Sequence, residues 1–451
     1  MPRSFGRSCS GVLSVLLVLL ALAPIGAGAA ASAEIAVAPG PGSVLVADFN
    51  HDGIPDLAVG SSNALSILLG LGDGTFSTKL VLTMTSVVLT LVGDFNGDGN
   101  PDLATGSGLL RLGVGDGTFQ ARSGGFGSAS TTGMAAGDLN GDGKLDLVVA
   151  SFGQTVVYLG NGDATFRGGS TYPYGWYPTR LADLNRDGRL DLITADATSL
   201  LVLLGNGDGT FGSPLPRFTS SNDAVVGDLN GDSIPDIVTL GSGCVSIALG
   251  RGDGTFIVSA VCGMVGSPIA LGDLNGDGHL DIFSGKYSSS WLKGKGDGTF
   301  GTPTAVAIGA PGDYHFAAIA DLSRDGHDDV VLTNWTANSI SVLLGPIGPP
   351  EPGSASISPS SLSFGSLAVW QSSAPQTVTL TSTGPGALIL GGWTWDPGFK
   401  VSSNCPRFGL LAAGLSCTYT IAFEPDRVGT FTAGLTIADR EPPSSVRLSL
   451  P

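Results

Sequence analysis

The chain has 451 residues, including 70 Gly and 27 Pro, with 42% apolar and only 13% charged residues. A charged share near half the usual ~25%, with Gly and Pro in excess, excludes coiled coils and helical bundles and describes a folded, turn-rich protein. The formal net charge is −17 and no basic cluster occurs, which excludes binding driven by nucleic-acid phosphates and leaves an acidic chain in need of cations.

At the N-terminus, Arg3 and Arg7 precede an apolar run from Val12 to Leu22, and Ala31-Ser32-Ala33 follows as a small-residue cleavage pattern. This is the layout of a secretory signal peptide over 1–33, because an apolar run of about 11 residues is shorter than the ~20 needed to span a bilayer. The mature chain then starts near Glu34, carries no transmembrane segment, and is secreted or displayed at the cell surface.

From there the pattern D-x-N-x-D-G-x-x-D recurs, starting at Asp48, Asp94, Asp138, Asp183, Asp228, Asp273 and Asp321, at spacings of 44 to 48 residues. A period of ~40–50 residues with strand-like segments is the signature of a β-propeller in which each repeat supplies one four-stranded blade. Each unit runs apolar stretch, Asp loop, short stretch, turn, apolar stretch, GDGTF turn and fourth stretch. In Ala64 to Gly70 both faces of the period-2 pattern are largely apolar, as befits strands sandwiched between neighbouring blades. The GDGTF phenylalanines are Phe76, Phe119, Phe166, Phe211, Phe256 and Phe300, placed to fill wedges between blades; Ala164 replaces a Gly in the third copy. The seventh unit lacks this turn and a fourth strand, and Glu34 to Pro39 is expected to supply that strand and close the ring.

In each Asp loop, side-chain oxygens at positions 1, 3, 5 and 9 with a carbonyl at position 7 form the kind of set that hard cations prefer, and Gly at position 6 permits the sharp turn. The candidate calcium ligands are Asp48, Asn50, Asp52 and Asp56; Asp94, Asn96, Asp98 and Asp102; Asp138, Asn140, Asp142 and Asp146; and Asp183, Asn185, Asp187 and Asp191. The remaining loops supply Asp228, Asn230, Asp232 and Asp236; Asp273, Asn275, Asp277 and Asp281; and Asp321, Ser323, Asp325 and Asp329. The alternative is an array of Asx turns without metal, which leaves neighbouring carboxylates unneutralised. Loops and GDGTF turns hold 27 of the 38 acids, and seven Ca²⁺ would bring a mature charge of −19 to −5. Ser233 at position 6 and Ser323 at position 3 weaken the fifth and seventh loops, while Lys144, Arg189, His279 and His327 occupy position 7, where only the backbone coordinates.

These units resemble FG-GAP or VCBS repeats, the family that also builds the head of integrin α subunits, over residues 34–345. The resemblance implies a seven-bladed propeller with calcium in the loops joining the first two strands of a blade. It also implies extracellular ligand binding or cell adhesion, and lectin activity in some members.

Residues 346–353 read as a Pro/Gly linker. In 354–451, short alternating runs at Leu362 to Leu367, Thr377 to Thr381, Ala387 to Leu390, Thr418 to Phe423, Thr430 to Ile437 and Val446 to Leu450 suggest an immunoglobulin-like sandwich. SISPSSLSFGSL, SCTYTIAFEP and GTFTAGLTI resemble the ASPM/Hydin-like (ASH) or choice-of-anchor D domains, which are non-catalytic. With Cys9 in the leader, four cysteines remain. Cys244 and Cys262 share one repeat and Cys405 and Cys417 share the C-terminal domain, so two local disulfides are expected, buried thiols being the alternative.

Enzyme signatures are missing: no G-x-S-x-G, P-loop or H-E-x-x-H occurs, and of four His three lie in the Asp loops, leaving His315 alone. Arg251-Gly252-Asp253 aligns as one copy of the GDGTF turn. Strand alternation puts Asp loops and GDGTF turns on one face and the other connections on the opposite face, where aromatics collect: Tyr172, Tyr174, Trp176, Tyr177, Tyr287, Trp291, Tyr314 and Trp335. Rings beside Ser, Asn and Asp suit sugar faces or partner hot spots, or else pack between blades. The sequence thus describes an all-β chain, a seven-bladed β-propeller followed by an immunoglobulin-like β-sandwich. It is expected to be exported, to hold structural calcium and to bind an extracellular protein or glycan without catalysis. A lectin using the aromatic face is the sharper alternative; a polysaccharide hydrolase or lyase would need an acid or base outside the loops.

Overall fold

The computed structural model describes residues 9–17 and 32–437, apart from short stretches at 85–88, 128–129, 197–198, 216–217, 220–222, 242, 265, 287–288, 307, 309–311, 348–354, 384–387, 391–392, 395–397, 407–408 and 412–413. All regular structure in the described residues is β-strand, and no helix long and apolar enough to cross a membrane is among them. The chain divides into two compact units, one of residues 29–348 and the other of 1–28 with 349–451.

The larger unit is a series of repeated four-stranded antiparallel sheets in the manner of a β-propeller. Sheet 1 runs Pro41–Ala47, Asp56–Ser61, Ala64–Gly70 and Phe76–Thr83, each strand beside the next. Its second strand is buried throughout, and its fourth is largely exposed, which explains why the inner segments read as apolar on both faces. Sheets 2 to 6 repeat this order within 90–123, 131–172, 176–219, 224–262 and 269–306, sheet 4 adding a short fifth strand, Phe218–Thr219, that pairs with its third. First strands of successive sheets lie side by side, and that of sheet 7, Tyr314–Ala320, lies beside that of sheet 1.

The expected closure is present. Ser32–Ala36 pairs antiparallel with Ser339–Leu343 and completes sheet 7, and the Val37 N–H extends the pairing to the Asn338 carbonyl at 2.9 Å. The Glu34 carboxylate accepts the hydroxyls of Ser339 at 2.6 Å and Ser341 at 2.5 Å. The strand begins at Ser32, within the cleavage pattern of the expected leader.

The GDGTF turns of sheets 1, 2, 3, 4 and 6 buckle each of these to the Asp loop of the sheet before it. Gly117 N–H donates to the Phe49 carbonyl at 3.0 Å, Ala164 to Phe95 at 2.8 Å, Gly209 to Leu139 at 3.0 Å and Gly298 to Leu229 at 3.1 Å, and Gly74 reaches back to Leu322 of sheet 7 at 3.3 Å. The turn phenylalanines pack onto the same loops, as Phe119 on Phe49 and Phe166 on Phe95 show. Where sheet 7 lacks this turn, Ile347 replaces it: its N–H donates to the Leu274 carbonyl at 2.5 Å and its buried side chain joins Leu274, Phe283 and Trp291. The segment read as a linker from 346 therefore starts with residues packed into the larger unit; its remainder, 348–353, lies outside the described residues.

The second unit holds two four-stranded sheets and a short pair. Leu362, from one sheet, shares a core with Val378, Leu380, Tyr419, Ile421 and Phe423 of the other. The Cys405–Cys417 disulfide lies in this core, and Cys244–Cys262 joins the last two strands of sheet 5, as expected. Within the expected leader, Cys9–Leu17 forms a strand between Ser361–Leu367 and Thr430–Ile437. The run Val446 to Leu450 lies outside the described residues.

Candidate functional site

Each Asp loop joins the first strand of a sheet to the second and is wired internally by its own side chains. In the first, Asp48 accepts the N–H groups of Asp52 at 3.2 Å and Gly53 at 2.8 Å. Asn50 accepts the Asp52 N–H at 3.1 Å and donates its amide to the Asp52 carboxylate at 2.9 Å, while Asp52 accepts the Ile54 N–H at 2.8 Å. These bonds gather positions 1, 3 and 5 on the loop's inner side, with the turn made by Gly53 at φ +77°. The other six loops keep both bonds to the first Asp. Ser233 takes φ +62° and still bonds Asp228 at 2.8 Å, so the fifth loop retains the shape at some strain. In the seventh loop Ser323 has no amide with which to bridge Asp325.

Position 9 behaves differently. Asp56 is fully buried, one oxygen accepting the Phe49 N–H at 2.9 Å and the other the Gly70 N–H at 2.8 Å. All seven ninth-position aspartates are buried this way, each tying the start of its loop to the end of the third strand. Burial raises their pKa values against the pull of the N–H donors, Asp102 to about 6 and Asp281 to about 7. Among the described residues no three acids, histidines or cysteines are grouped as a metal centre. Each loop instead offers two exposed or half-buried carboxylates, a side-chain amide or hydroxyl, and a carbonyl.

Cationic side chains fold onto three loops. Arg189 lies 3.3 Å from Asp187, Lys293 3.1 Å from Asp277, and Lys144 4.0 Å from Asp142. Lys144 and Arg189 thus contribute more than their position-7 carbonyls. The GDGTF aspartates are self-contained: Asp73 accepts the N–H and hydroxyl of Thr75, which hold its pKa below the usual range. Asp253 of Arg251-Gly252-Asp253 does the same with Thr255, as a turn copy should.

On the opposite face the aromatic set divides. Tyr314 is buried in a core with Trp291, so neither offers a free ring. Tyr172 and Tyr174 pack between sheets 3 and 4, where the Tyr172 hydroxyl accepts the Phe211 N–H at 2.6 Å. These positions read as ligand candidates because a sequence does not distinguish a ring at a blade junction from one at its surface. Tyr287 lies outside the described residues. Trp176 and Tyr177 are 37% and 44% exposed, and Trp335 is half-buried.

Three groupings escaped the sequence reading. Phe152, 64% exposed in a second-to-third turn, sets its ring edge-on against Trp176 at 5.2 Å. Arg180 and Asp223 pair at 3.5 Å near the inner strands of sheets 4 and 5, and Asp223 also accepts the Ser267 hydroxyl and the Ile269 N–H of sheet 6, each at 3.0 Å. His315, expected to stand alone, contacts Asp313 at 3.2 Å and lies against the Trp335 ring at 5.2 Å. A lone Phe or Asp outside a repeat motif carries no sequence signal for any of these.

A family model described as FG-GAP-like repeat matches six overlapping spans: 48–105, 94–149, 138–194, 183–239, 228–284 and 273–332. No curated protein matches the chain in sequence. Among solved structures, it is similar to an Agrocybe aegerita lectin described by its recognition of non-reducing terminal N-acetylglucosamine, at 23% identity and TM-score 0.46, covering 62% of this chain and 81% of that one. It is also similar to BBS1N in complex with ARL6DN, at 10% identity and TM-score 0.49, covering 72% and 99%. A further likeness is to the Photorhabdus luminescens Tc holotoxin pore, at 14% identity and TM-score 0.39, covering 85% of this chain and 19% of that one.

Proposed function

The chain belongs to the FG-GAP-like repeat family, and from that premise we propose that it is a secreted, calcium-stabilised, seven-bladed propeller that binds an extracellular ligand, with the C-terminal unit as an immunoglobulin-like spacer. The observation that carries the cation reading is the internal wiring of the loops, which presents hard oxygens at positions 1, 3 and 5. Asp48, Asn50 and Asp52, and Asp94, Asn96 and Asp98, would hold calcium best, because no lysine or arginine among the described residues forms an ion pair with them. When bound, calcium neutralises the paired carboxylates and couples its binding free energy to folding. The ninth aspartates serve mainly as latches, since both oxygens of each already accept a backbone N–H. Two disulfides support an oxidising, extracellular setting.

The ligand face is the one opposite the loops. A sugar ring stacks on an exposed aromatic, and Phe152, Trp176 and Tyr177 present such a surface; this favours the lectin form of the reading. Binding rather than turnover fits the disposition of the acids, 27 of 38 of which lie in the Asp loops and GDGTF turns. The test is a glycan and matrix-protein array probed with the protein in calcium beside a Trp176→Ala, Trp335→Ala variant. Signals that vanish in the variant support the reading, and signals unchanged in it move the ligand elsewhere. For the cation, a hundredfold excess of calcium over Kd would add about 2.7 kcal/mol per site. A melting temperature unmoved by chelator refutes the structural role.

A further inference from the structure

A sheet edge is a row of unpaired N–H and C=O groups, and folded proteins blunt it with charge, Pro, bulges or short strands. The described outer strands of the larger unit do so almost throughout. In sheet 1 the outer strand carries Lys79 and a bulge in its pairing; in sheet 3 it carries Arg167 and a bulge. Sheet 2 has Arg122, sheet 4 ends at Pro214, sheet 6 has three residues, and sheet 7 has Glu34. The outer strand of sheet 5, Phe256–Cys262, has none of these devices. Its seven residues, FIVSAVC, contain no charge and no Pro, and they pair with Cys244–Gly250 in unbroken register. The Cys244–Cys262 disulfide fixes the far end of that pairing, and Ile257 and Val258 are 54% and 55% exposed on its two faces.

We propose that this strand is a homodimerisation edge, pairing antiparallel with the same strand of a second copy. The occupant follows from its chemistry. A neutral edge pairs best with another neutral edge, and among the described outer and edge strands long enough to pair along their length only this one is uncharged, free of Pro and paired without a bulge, Ser361–Leu367 being uncharged but bulged, so copies match 256–262 with itself. Antiparallel pairing centred on Ser259 sets Ile257 opposite Val261, Val258 opposite Ala260, and Ser259 opposite its own copy, so apolar residues meet on both faces. Such a contact is isologous and uses up both edges, which gives a closed dimer of two joined four-stranded sheets rather than a growing fibre.

The test is sedimentation velocity of the full chain over a wide concentration range, beside Val258→Lys and, as a control on another outer strand, Val81→Lys. Val81 is 53% exposed, so the control adds the same charge at a comparable site. The expected result is a monomer–dimer equilibrium for the wild type and for Val81→Lys. Val258→Lys should raise the dimer Kd more than tenfold while leaving the melting temperature of the monomer unchanged. A second variant, Ser259→Cys, should form an intermolecular disulfide under mild oxidation that Thr78→Cys, on the outer strand of sheet 1, does not. A wild type that stays monomeric, that forms open polymers, or whose dimer survives Val258→Lys overturns the proposal.

Discussion

The ring is closed by a strand from the far end of the chain, and Ile35 is the residue through which that closure is best tested. Its side chain, half-buried, packs against the cluster of sheets 1 and 7 that includes Ile340 and Val342, while its backbone pairs with Ile340. Ile35→Asp removes about 1 kcal/mol of apolar burial. It also sets a carboxylate against an apolar surface with no partner, a further cost of about 2 kcal/mol. A unit of this size loses about 2 °C in melting temperature per kcal/mol, so the variant should melt roughly 6 °C lower by calorimetry. Ile35→Val, which keeps the strand and most of the contact, should lie within about 2 °C of the wild type. If Ile35→Asp melts with the wild type, the N-terminal strand does not hold the ring together; if both variants fall equally, packing on this cluster is not the cause.

Two further outcomes follow from the buried aspartates. Asp146→Asn leaves one of the Leu139 and Gly160 N–H groups facing an amide that cannot accept from both, and should cost about 1–3 kcal/mol; Asp142→Asn, on the exposed side of the same loop, should leave the calcium-free melt nearly unchanged and weaken the calcium response, both read by melting with and without chelator. The pH dependence of the metal-free protein has a definite sign. Asp102 and Asp281 titrate higher folded, at about 6 and 7, than the ordinary 3.8, so their contribution is fully present below pH 4 and lost as pH rises through 6 to 7. Metal-free protein should therefore melt lower at pH 8 than at pH 5, and the turn aspartates, held below the usual range, act only at lower pH. A melt that rises over this window refutes the burial-raised titration of these aspartates.

Much of this molecule is legible in one dimension because it is a repeat. Seven copies of an Asp loop at a constant spacing fix the period, the strand count per unit and the missing fourth strand of the last unit. The need to cover that edge then points to the N-terminal segment. The positions of the GDGTF phenylalanines and the local cysteine pairs are legible for the same reason, since each depends on neighbours a short and regular distance away along the chain.

What the sequence leaves open are choices between environments that one residue type can occupy. An aspartate at position 9 of a loop reads as a ligand, and only the fold brings the Gly70 N–H to Asp56 from fourteen residues away and turns it into a buried latch. Tyr314 and Trp176 both read as face aromatics; packing of sheets 6 and 7 buries the first, while the second stays exposed beside Phe152. Ile347 reads as linker, yet the absence of a seventh GDGTF turn leaves the Leu274 carbonyl free to accept its N–H. The period of a repeat is a local property that composition and spacing carry along the chain. Which oxygen meets which N–H, and which ring meets water, depends on neighbours that only the closed ring assembles.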